Sequence, residues 1–600
     1  MLFPRDRWLL VALLAVAACA KDPAYKTGSA GAGGGAGLGG SGGGGGGSGS
    51  GQPADMCSDA QAWTAPPAPV ACAGAAPAAS GAAQVTIAVD AGTGATLGAW
   101  NRFYERAVAA DHAHTFICTK YGRNIQNALR KAHAQAGFQY VRFHGIFNDD
   151  VGVYKEDASG MPLYDWSGLD AVYDSITAAG MRPMVEISFT PAALASDPTK
   201  IQTQLWYNGR SPNISPPTGA SGDWSKWIAL MAEFVRHIED RYGAEEVRAN
   251  WYFEVWNEPS WMYSLGDTGY YELYKNTVTG LLQTDPMLRV GGPAGSSGES
   301  SGLIRSLITG ALNTGTKLDF LTYHRYGDDN SMPVADVNAA VAFHKSLLND
   351  ISLTSIRGMT FTGELLNNEF GPSWMPHVTR DSEVAASYIA KIIHLLGNDP
   401  TVPAPSAYGY WAVSDLYEEI NTGPGTAFRE GNYGLMLKGD PKIPESFDVA
   451  KPSFNAYRLL HMMGDQQLRV TGGTTGDGVG AAATRSTDGH AVQVLVYNHV
   501  NGGTADAGLS SVVSLTVNNL PFTGTVRVRQ YIVDAGHANA YRAWRAMGSP
   551  SNPNQSQWVM LRDAAELCYF ETTATPTAGS WTATFPQSVY GVSLLEITGA

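Results

Sequence analysis

Between residues 138 and 415, short runs of apolar, β-branched and aromatic residues alternate with stretches of helical periodicity. The runs are FQYVRFHG (138–145), MRPMVEISF (181–189), WYFEVWNE (251–258), RVGGPA (289–294), LDFLTYHRY (318–326), GELLNNEF (363–370) and YGYWAVSD (408–415). The intervening stretches include NIQNALRKAHAQAG (124–137), LDAVYDSITAAG (169–180) and DWSKWIALMAEFVRHIEDRYG (223–243). Each places apolar residues on one helical face and stops at a glycine. Strands that read as continuous apolar runs, each followed by a helix, imply a parallel sheet buried on both faces. With a first strand near residues 96–100 the pattern gives eight βα units. The expected fold class is therefore α/β, a (β/α)8 TIM barrel over residues 83–465.

The helical pattern ends after SFNAYRLLHMMG (453–464). Beyond it AVQVLVYN (491–498), VVSLTVNNL (512–520), GTVRVRQYIVD (524–534), SWTATFP (580–586) and GVSLLEITG (591–599) alternate as strands. Gly, Asn and Pro punctuate them, which predicts a C-terminal β-sandwich domain over residues 466–600. The strand-like VTIAVDA (85–91) sits in segment 83–95, which joins either the barrel or the sandwich.

The amino terminus reads as a targeting segment. Arg5 and Arg7 precede WLLVALLAVAA, which ends at Cys19 and is too short for a stop-transfer span. Val16–Cys19 resembles a bacterial lipobox, so residues 1–19 are expected to be a lipoprotein signal peptide with lipidation at Cys19. An ordinary secretory signal is the alternative. Residues 20–82 are expected to be a linker. The stretch 28–51 holds 16 Gly in 24 residues, cannot bury a core, and as a coil reaches roughly 27 Å. These features predict a partner membrane and a place in the bacterial cell envelope. Cys57, Cys72, Cys118 and Cys568 remain for pairing in an exported chain. They allow three connectivities, with Cys57–Cys72 favoured by closeness in the chain. No cysteine pair has zinc-site spacing. The net charge of −14, with no basic stripe, argues against a nucleic-acid partner.

Function is most legible in WYFEVWNEPSW (251–261). By the strand count, Glu258 stands at the C-terminal end of strand 4 and Glu369 near that of strand 7, where barrel side chains face the mouth. The surrounding aromatics desolvate a carboxyl and raise its pKa, as a general acid requires. Asn257 can hydrogen-bond a sugar hydroxyl. Two carboxyls across one pocket are the equipment of a glycosidase. Glu364 competes with Glu369 within the same run. The two differ by an odd number, so in an unbroken strand they face opposite sides. The histidines of DHAH (111–114) read as a loop feature, and two-carboxylate chemistry calls for no metal and no cofactor.

From about residue 98 to 600 the chain resembles glycoside hydrolase family 39, the bacterial β-xylosidase and α-L-iduronidase group. The resemblance is carried by YVRFHGIFNDDVGVY (140–154), EVWNEP (254–259), LDFLTYHRYG (318–327), NNEFGPSW (367–374), GYWAVSDLYEE (409–419) and HANAYRAWRAMGSP (537–550). It implies a retaining glycoside hydrolase acting on oligo- or polysaccharide, most simply a β-xylosidase on xylo-oligosaccharides. Glu258 would be the acid/base and Glu369 the nucleophile. Asn257 would contact the sugar 2-hydroxyl, and His144, His324 and Tyr326 would bind the same sugar. Trp374 would flank the nucleophile, Trp411 would supply an apolar platform and Glu419 would bind a hydroxyl. Xylosidases of that group include tetramers, so an oligomer is compatible with the reading. Asn368 stands where the group often has Thr, a form closer to the iduronidases. Arg325, after His324, either meets a uronate carboxylate or turns away by strand alternation. The remaining alternatives are another activity of that group, α-L-iduronidase-like or on an exopolysaccharide, and a surface lipoprotein that binds glycans without cleaving them.

Overall fold

A computed structural model describes residues 65, 68–117, 122–203, 211–328, 332–399, 401–417, 428–503 and 510–600. The expected signal peptide, Cys19, the glycine tract, Cys57, Cys118 and Glu419 lie outside the described residues. Eight parallel strands close into a barrel: β1 (Ala107–His112), β2 (Tyr140–His144), β3 (Arg182–Ile187), β4 (Tyr252–Val255), β5 (Arg289–Gly295), β6 (Phe320–His324), β7 (Glu364–Phe370) and β8 (Ala407–Tyr410). Each pairs with its neighbours in chain order, and β8 closes on β1 through Tyr410 and Val108.

The helices that follow the strands pack around this ring. Helix Ser225–Tyr242 shows why these segments are helical. Trp227, Leu230, Met231, Phe234, Val235 and Ile238 recur every three or four residues, and all are buried. Burying six such side chains contributes about 1.5–3 kcal/mol each before the entropy of ordering them. Gly243, with φ 93°, ends the helix. The neighbouring helix Gly266–Thr284 approaches closely at Gly280, where a Cβ would stand 2.5 Å from the Ile228 carbonyl oxygen.

Inside the barrel the period of two is explicit. Ala107, Tyr140, Met184, Tyr252, Phe320, Leu366 and Ala407 form one apolar layer. Two residues further along, toward the C-terminal mouth, the same inward face carries Arg142, Glu186, Glu254 and Asn368. The apolar floor thus supports a polar storey.

The strand expected near 96–100 is not in the barrel. Thr96–Ala99 pairs antiparallel with Gln466–Gly472, and Ala107–His112 is the first barrel strand. Its run, AVAADH, is largely small alanines of weak β propensity, which hides a fully buried strand. Strand Val85–Asp90 lies between Gln466–Gly472 and Ser511–Asn518 in the C-terminal sheets. Those sheets enclose a second core around Ile87, Val89, Val494, Leu515, Val517 and Ile597. They also contain Gly478–Arg485 and Cys568–Ala574, whose small or polar composition gave no strand signal. Helix Glu383–Gly397 is buried along nearly its whole length and joins barrel to sandwich, with His394 3.0 Å from the Tyr497 hydroxyl and Ser387 2.9 Å from His499.

The favoured Cys57–Cys72 pairing does not form. Cys72 is bonded to Cys568, 496 residues away. Residues Val70 and Ala71 add a short parallel strand beside Cys568 and Tyr569, which brings the two cysteines together. Proximity along the chain is a poor guide when the partner strand is supplied by tertiary structure.

Candidate active site

The polar storey is built around Arg142, which is fully buried on β2. Its Nε donates to Glu254 Oε2 at 2.6 Å and Nη1 to Glu369 Oε2 at 3.2 Å. Nη2 donates to Asn257 Oδ1 at 2.9 Å and lies 2.8 Å from Glu186 Oε2. Burial opposes the guanidinium charge, but Glu254, Glu186 and Glu369 outweigh it and raise the pKa. Glu186 in turn lies 2.7 Å from His144 Nδ1. Burial alone would raise the Glu186 pKa, but His144 and Arg142 carry it below the usual value. The same contact lifts His144 above the ordinary histidine value against its own burial. Glu254 completes its set by accepting from Asn368 Nδ2 at 2.6 Å.

Glu258 and Glu369 meet above this storey. The backbone leaves β4 through left-handed conformations at Trp256 (φ 74°) and Glu258 (φ 40°), conformations that bulky side chains rarely adopt. Trp256 is thereby buried against Phe189, 5.2 Å between ring centroids, while Asn257 and Glu258 turn to the mouth. Pro259, with no N–H to satisfy, opens the short helix that follows.

A carboxylate oxygen of Glu258, one of Glu369 and a ring nitrogen of His324 all lie within 4.8 Å of one another. His324 Nδ1 is 2.9 Å from Glu258 Oε1 and 3.5 Å from Glu369 Oε2. Glu369 Oε1 accepts from the Tyr326 hydroxyl at 2.5 Å. Burial, and then Glu369, push the Tyr326 phenol well above its ordinary pKa, so it remains a donor. Burial raises the Glu258 carboxyl above the usual glutamate range, against the opposing pull of Trp261, His144 and Arg142. Burial takes His324 down to about 4, so its imidazole is neutral near pH 7.

The other expected residues divide. His144, His324, Tyr326 and Asn257 gather here. Trp411 is 2 % exposed, with its ring 4.6 Å from that of His144, and forms an inner wall rather than an open platform. Trp374 is 49 % exposed on the loop after β7, held by its N–H on Asp328 Oδ1 at 2.7 Å. Arg325 turns outward, with Nη2 3.0 Å from Met332 Sδ and the guanidinium over the Phe343 ring. Glu364 sits at the opposite end of the barrel, where Tyr252 donates to it at 2.9 Å and Arg106 lies 3.6 Å away.

The parity argument against Glu364 does not hold. Pairing of β6 with β7 shifts between Tyr323↔Asn367 and His324↔Glu369, so Asn368 is an extra residue. The bulge lets Asn368 and Glu369 both point inward. Nor is DHAH a loop. Asp111 and His112 end β1, Asp111 accepts from the Tyr417 N–H at 2.7 Å, and the His112 ring is 6.2 Å from that of His144. Sequence reasoning missed Arg142, Glu186 and Glu254 as site residues. Their signal was available, because each is a charge at an alternate position inside an apolar strand, which only a paired interior tolerates.

The His324, Glu258 and Glu369 trio also has spacing that could accept a cation. Arg142, 3.2 Å from Glu369, already supplies positive charge there.

A closed parallel barrel with paired carboxyls at its C-terminal mouth defines a carbohydrate-cleaving hydrolase. The chain belongs to glycosyl hydrolases family 39, whose sequence pattern matches residues 86–582. It is 30 % identical over 450 residues to a beta-xylosidase of Geobacillus stearothermophilus, spanning 73 % of this chain and 82 % of that one. It is 26 % identical over 377 residues to the human alpha-L-iduronidase, spanning 57 % and 55 %. The crystal structure of the family 39 enzyme from Xanthomonas axonopodis pv. citri is similar, with a TM-score of 0.72 and 26 % identity over 87 % of this chain and 98 % of that one.

Proposed function

We propose that the protein is a retaining β-xylosidase acting on xylo-oligosaccharides, with Glu258 as acid/base and Glu369 as nucleophile. The observation that carries this reading is the approach of the two carboxyls within 4.8 Å. One oxygen of each carboxyl lies within that distance, nearer the about 5–5.5 Å separation of retaining enzymes than the about 6.5–9.5 Å that admits an inverting enzyme's water. Glu369 attacks the anomeric carbon while Glu258 gives its proton to the leaving oxygen. A covalent glycosyl–Glu369 forms. Glu258, now a carboxylate, takes a proton from water as the water displaces Glu369. Arg142 occupies Asn257 Oδ1, so the Asn257 amide N–H groups are left to meet the sugar 2-hydroxyl. NMR of the first-formed product tests the stereochemistry, and an inverted anomer would refute the retaining mechanism.

The xylosidase reading is favoured over an iduronidase-like one by two cations. Arg142 is engaged by three carboxylates and Arg325 lies against Met332 and Phe343, so neither offers its guanidinium to a uronate carboxylate. Turnover of aryl β-xyloside but not aryl iduronide is the expected result.

Raising the Glu258 pKa keeps the acid protonated to higher pH than an ordinary glutamate. The alkaline limb of kcat/KM is therefore expected above the usual glutamate range. Glu258→Gln should lower turnover about 10²–10⁴-fold on substrates that need protonation. Unchanged turnover in that variant would remove Glu258 from the mechanism.

We also propose an envelope location through lipid at Cys19. The Cys72–Cys568 bond supports this reading, because disulfides form and persist mainly in exported proteins. Wild-type protein should fractionate with membranes and a Cys19→Ala variant should not. Equal fractionation would refute the anchor.

A further inference from the structure

We propose that Trp261 positions the Glu258 proton and forms a wall of the leaving-group subsite, so that its contribution grows with the protonation the leaving group needs. The inference rests on Glu258 being the general acid.

Trp261 lies in the short helix Pro259–Met262, directly after Glu258. Its indole Nε1–H donates to Glu258 Oε2 at 2.6 Å. Its backbone N–H donates to the Glu258 carbonyl oxygen at 3.2 Å, so the residue is tied to Glu258 twice. Yet Trp261 is 41 % exposed. Its polar edge is taken by the carboxyl while much of the ring remains open.

The position of that open ring follows from the acid. A general acid must come within about 2.6–3.2 Å of the oxygen it protonates. An indole nitrogen bound to the same carboxyl is then within a sugar's width of the glycosidic oxygen. Below it stand Asn257, His144 and Glu369, placed to receive the sugar being cleaved and supported by the buried Arg142. The ring at the rim thus meets what lies beyond the bond. A broad apolar face with a polar tip suits a pyranose or aryl leaving group, whose own faces are largely C–H.

Trp261 also selects the oxygen that carries the proton. An indole N–H only donates, so in the acid form Oε2 serves as the carbonyl-type acceptor and the proton resides on Oε1. That oxygen is the one 2.9 Å from His324 Nδ1. The groups around Glu258 are Trp261, His324 and Glu369, with His144, Arg142 and Glu186 behind them. The Trp261 N–H, His144 and Arg142 favour the carboxylate, and Glu186 disfavours it. Removing the indole donor lets Glu258 hold its proton to higher pH.

The test compares wild type, Trp261→Phe, Trp261→Ala and Glu258→Ala on phenyl and 2,4-dinitrophenyl glycosides of the sugar the enzyme cleaves. Dinitrophenolate leaves without a proton, whereas phenol needs one. Trp261→Phe should lose about tenfold in kcat/KM on the phenyl substrate, a fraction of the whole general-acid effect. It should stay within about twofold on the dinitrophenyl substrate, where little of that effect is needed. Its alkaline limb should move up in pH. Trp261→Ala should in addition raise KM for the disaccharide. Equal losses on both aryl substrates with an unmoved alkaline limb, or no loss on either, would overturn the proposal. If Glu258→Ala itself fails to separate the two substrates, the acid assignment falls. If Glu258→Ala separates them and Trp261→Phe does not, only the role of Trp261 falls.

Discussion

Glu369→Ala is expected to lower kcat by about 10⁴-fold or more, the scale seen when a covalent nucleophile is removed. The loss should be recoverable in a specific way. The truncated side chain leaves a space lined by the donors that now bind Glu369, Arg142 Nη1 and the Tyr326 hydroxyl. Both suit a small anion. Azide entering there attacks the anomeric carbon from the face Glu369 used, and the product is a glycosyl azide of inverted configuration. Glu258→Ala should behave in the opposite sense. Glu369 still forms the covalent intermediate in that variant, and azide displaces it to give retained configuration. Product configuration therefore separates the two carboxyls even if both variants are equally slow. The same configuration from both, or the reverse assignment, would refute the roles. The expected disturbance to folding is modest, because Arg142 keeps Glu254 and Glu186 when Glu369 is lost.

Much of this is readable in the sequence because it depends on local pattern. Seven apolar runs separated by helical stretches specify the barrel, and the position of a residue within a run specifies whether it reaches the mouth. Asn257–Glu258 and Glu369 were located that way. What stayed hidden depends on partners far along the chain. The Ala107–His112 strand is identifiable only once β8 and β2 flank it. Cys568 becomes the partner of Cys72 only because an edge strand offers its register to Val70 and Ala71. The bulge at Asn368 is set by the shifted pairing with β6, and no property of the run GELLNNEF announces it. The outward turn of Arg325 was one of two options that alternation left open, and packing on Phe343 and Met332 resolves it. Arg142, Glu186 and Glu254 belong to a different group. They were legible as charges that strand interiors do not hold without partners, and reading the three together would have shown the network.

That network makes the second large effect. Arg142→Met is expected to destabilise the protein by about 3–5 kcal/mol at neutral pH, the cost of leaving buried charges without their partner. The side chains of Glu186 and Glu254 are wholly buried and that of Glu369 is 10 % exposed, so water cannot replace the guanidinium. The dependence on pH distinguishes charge from lost packing. In the wild type the folded Glu186 pKa lies below its ordinary value, so its contribution to stability is present above the unfolded pKa and is lost as pH falls through the folded one. In the variant Glu186 loses the guanidinium and keeps the burial that opposes its charge, so its folded pKa moves upward. The variant should therefore recover stability relative to wild type as pH falls toward the ordinary glutamate value. Chemical denaturation at neutral and mildly acidic pH measures this, and a difference that stays constant with pH would mean that packing is responsible. Arg142→Lys keeps the charge but not the planar fork that serves Glu254, Glu369, Asn257 and Glu186 together. It should regain part of the stability and still lose about 10²-fold in kcat, because the nucleophile and the Asn257 amide are no longer held in one geometry.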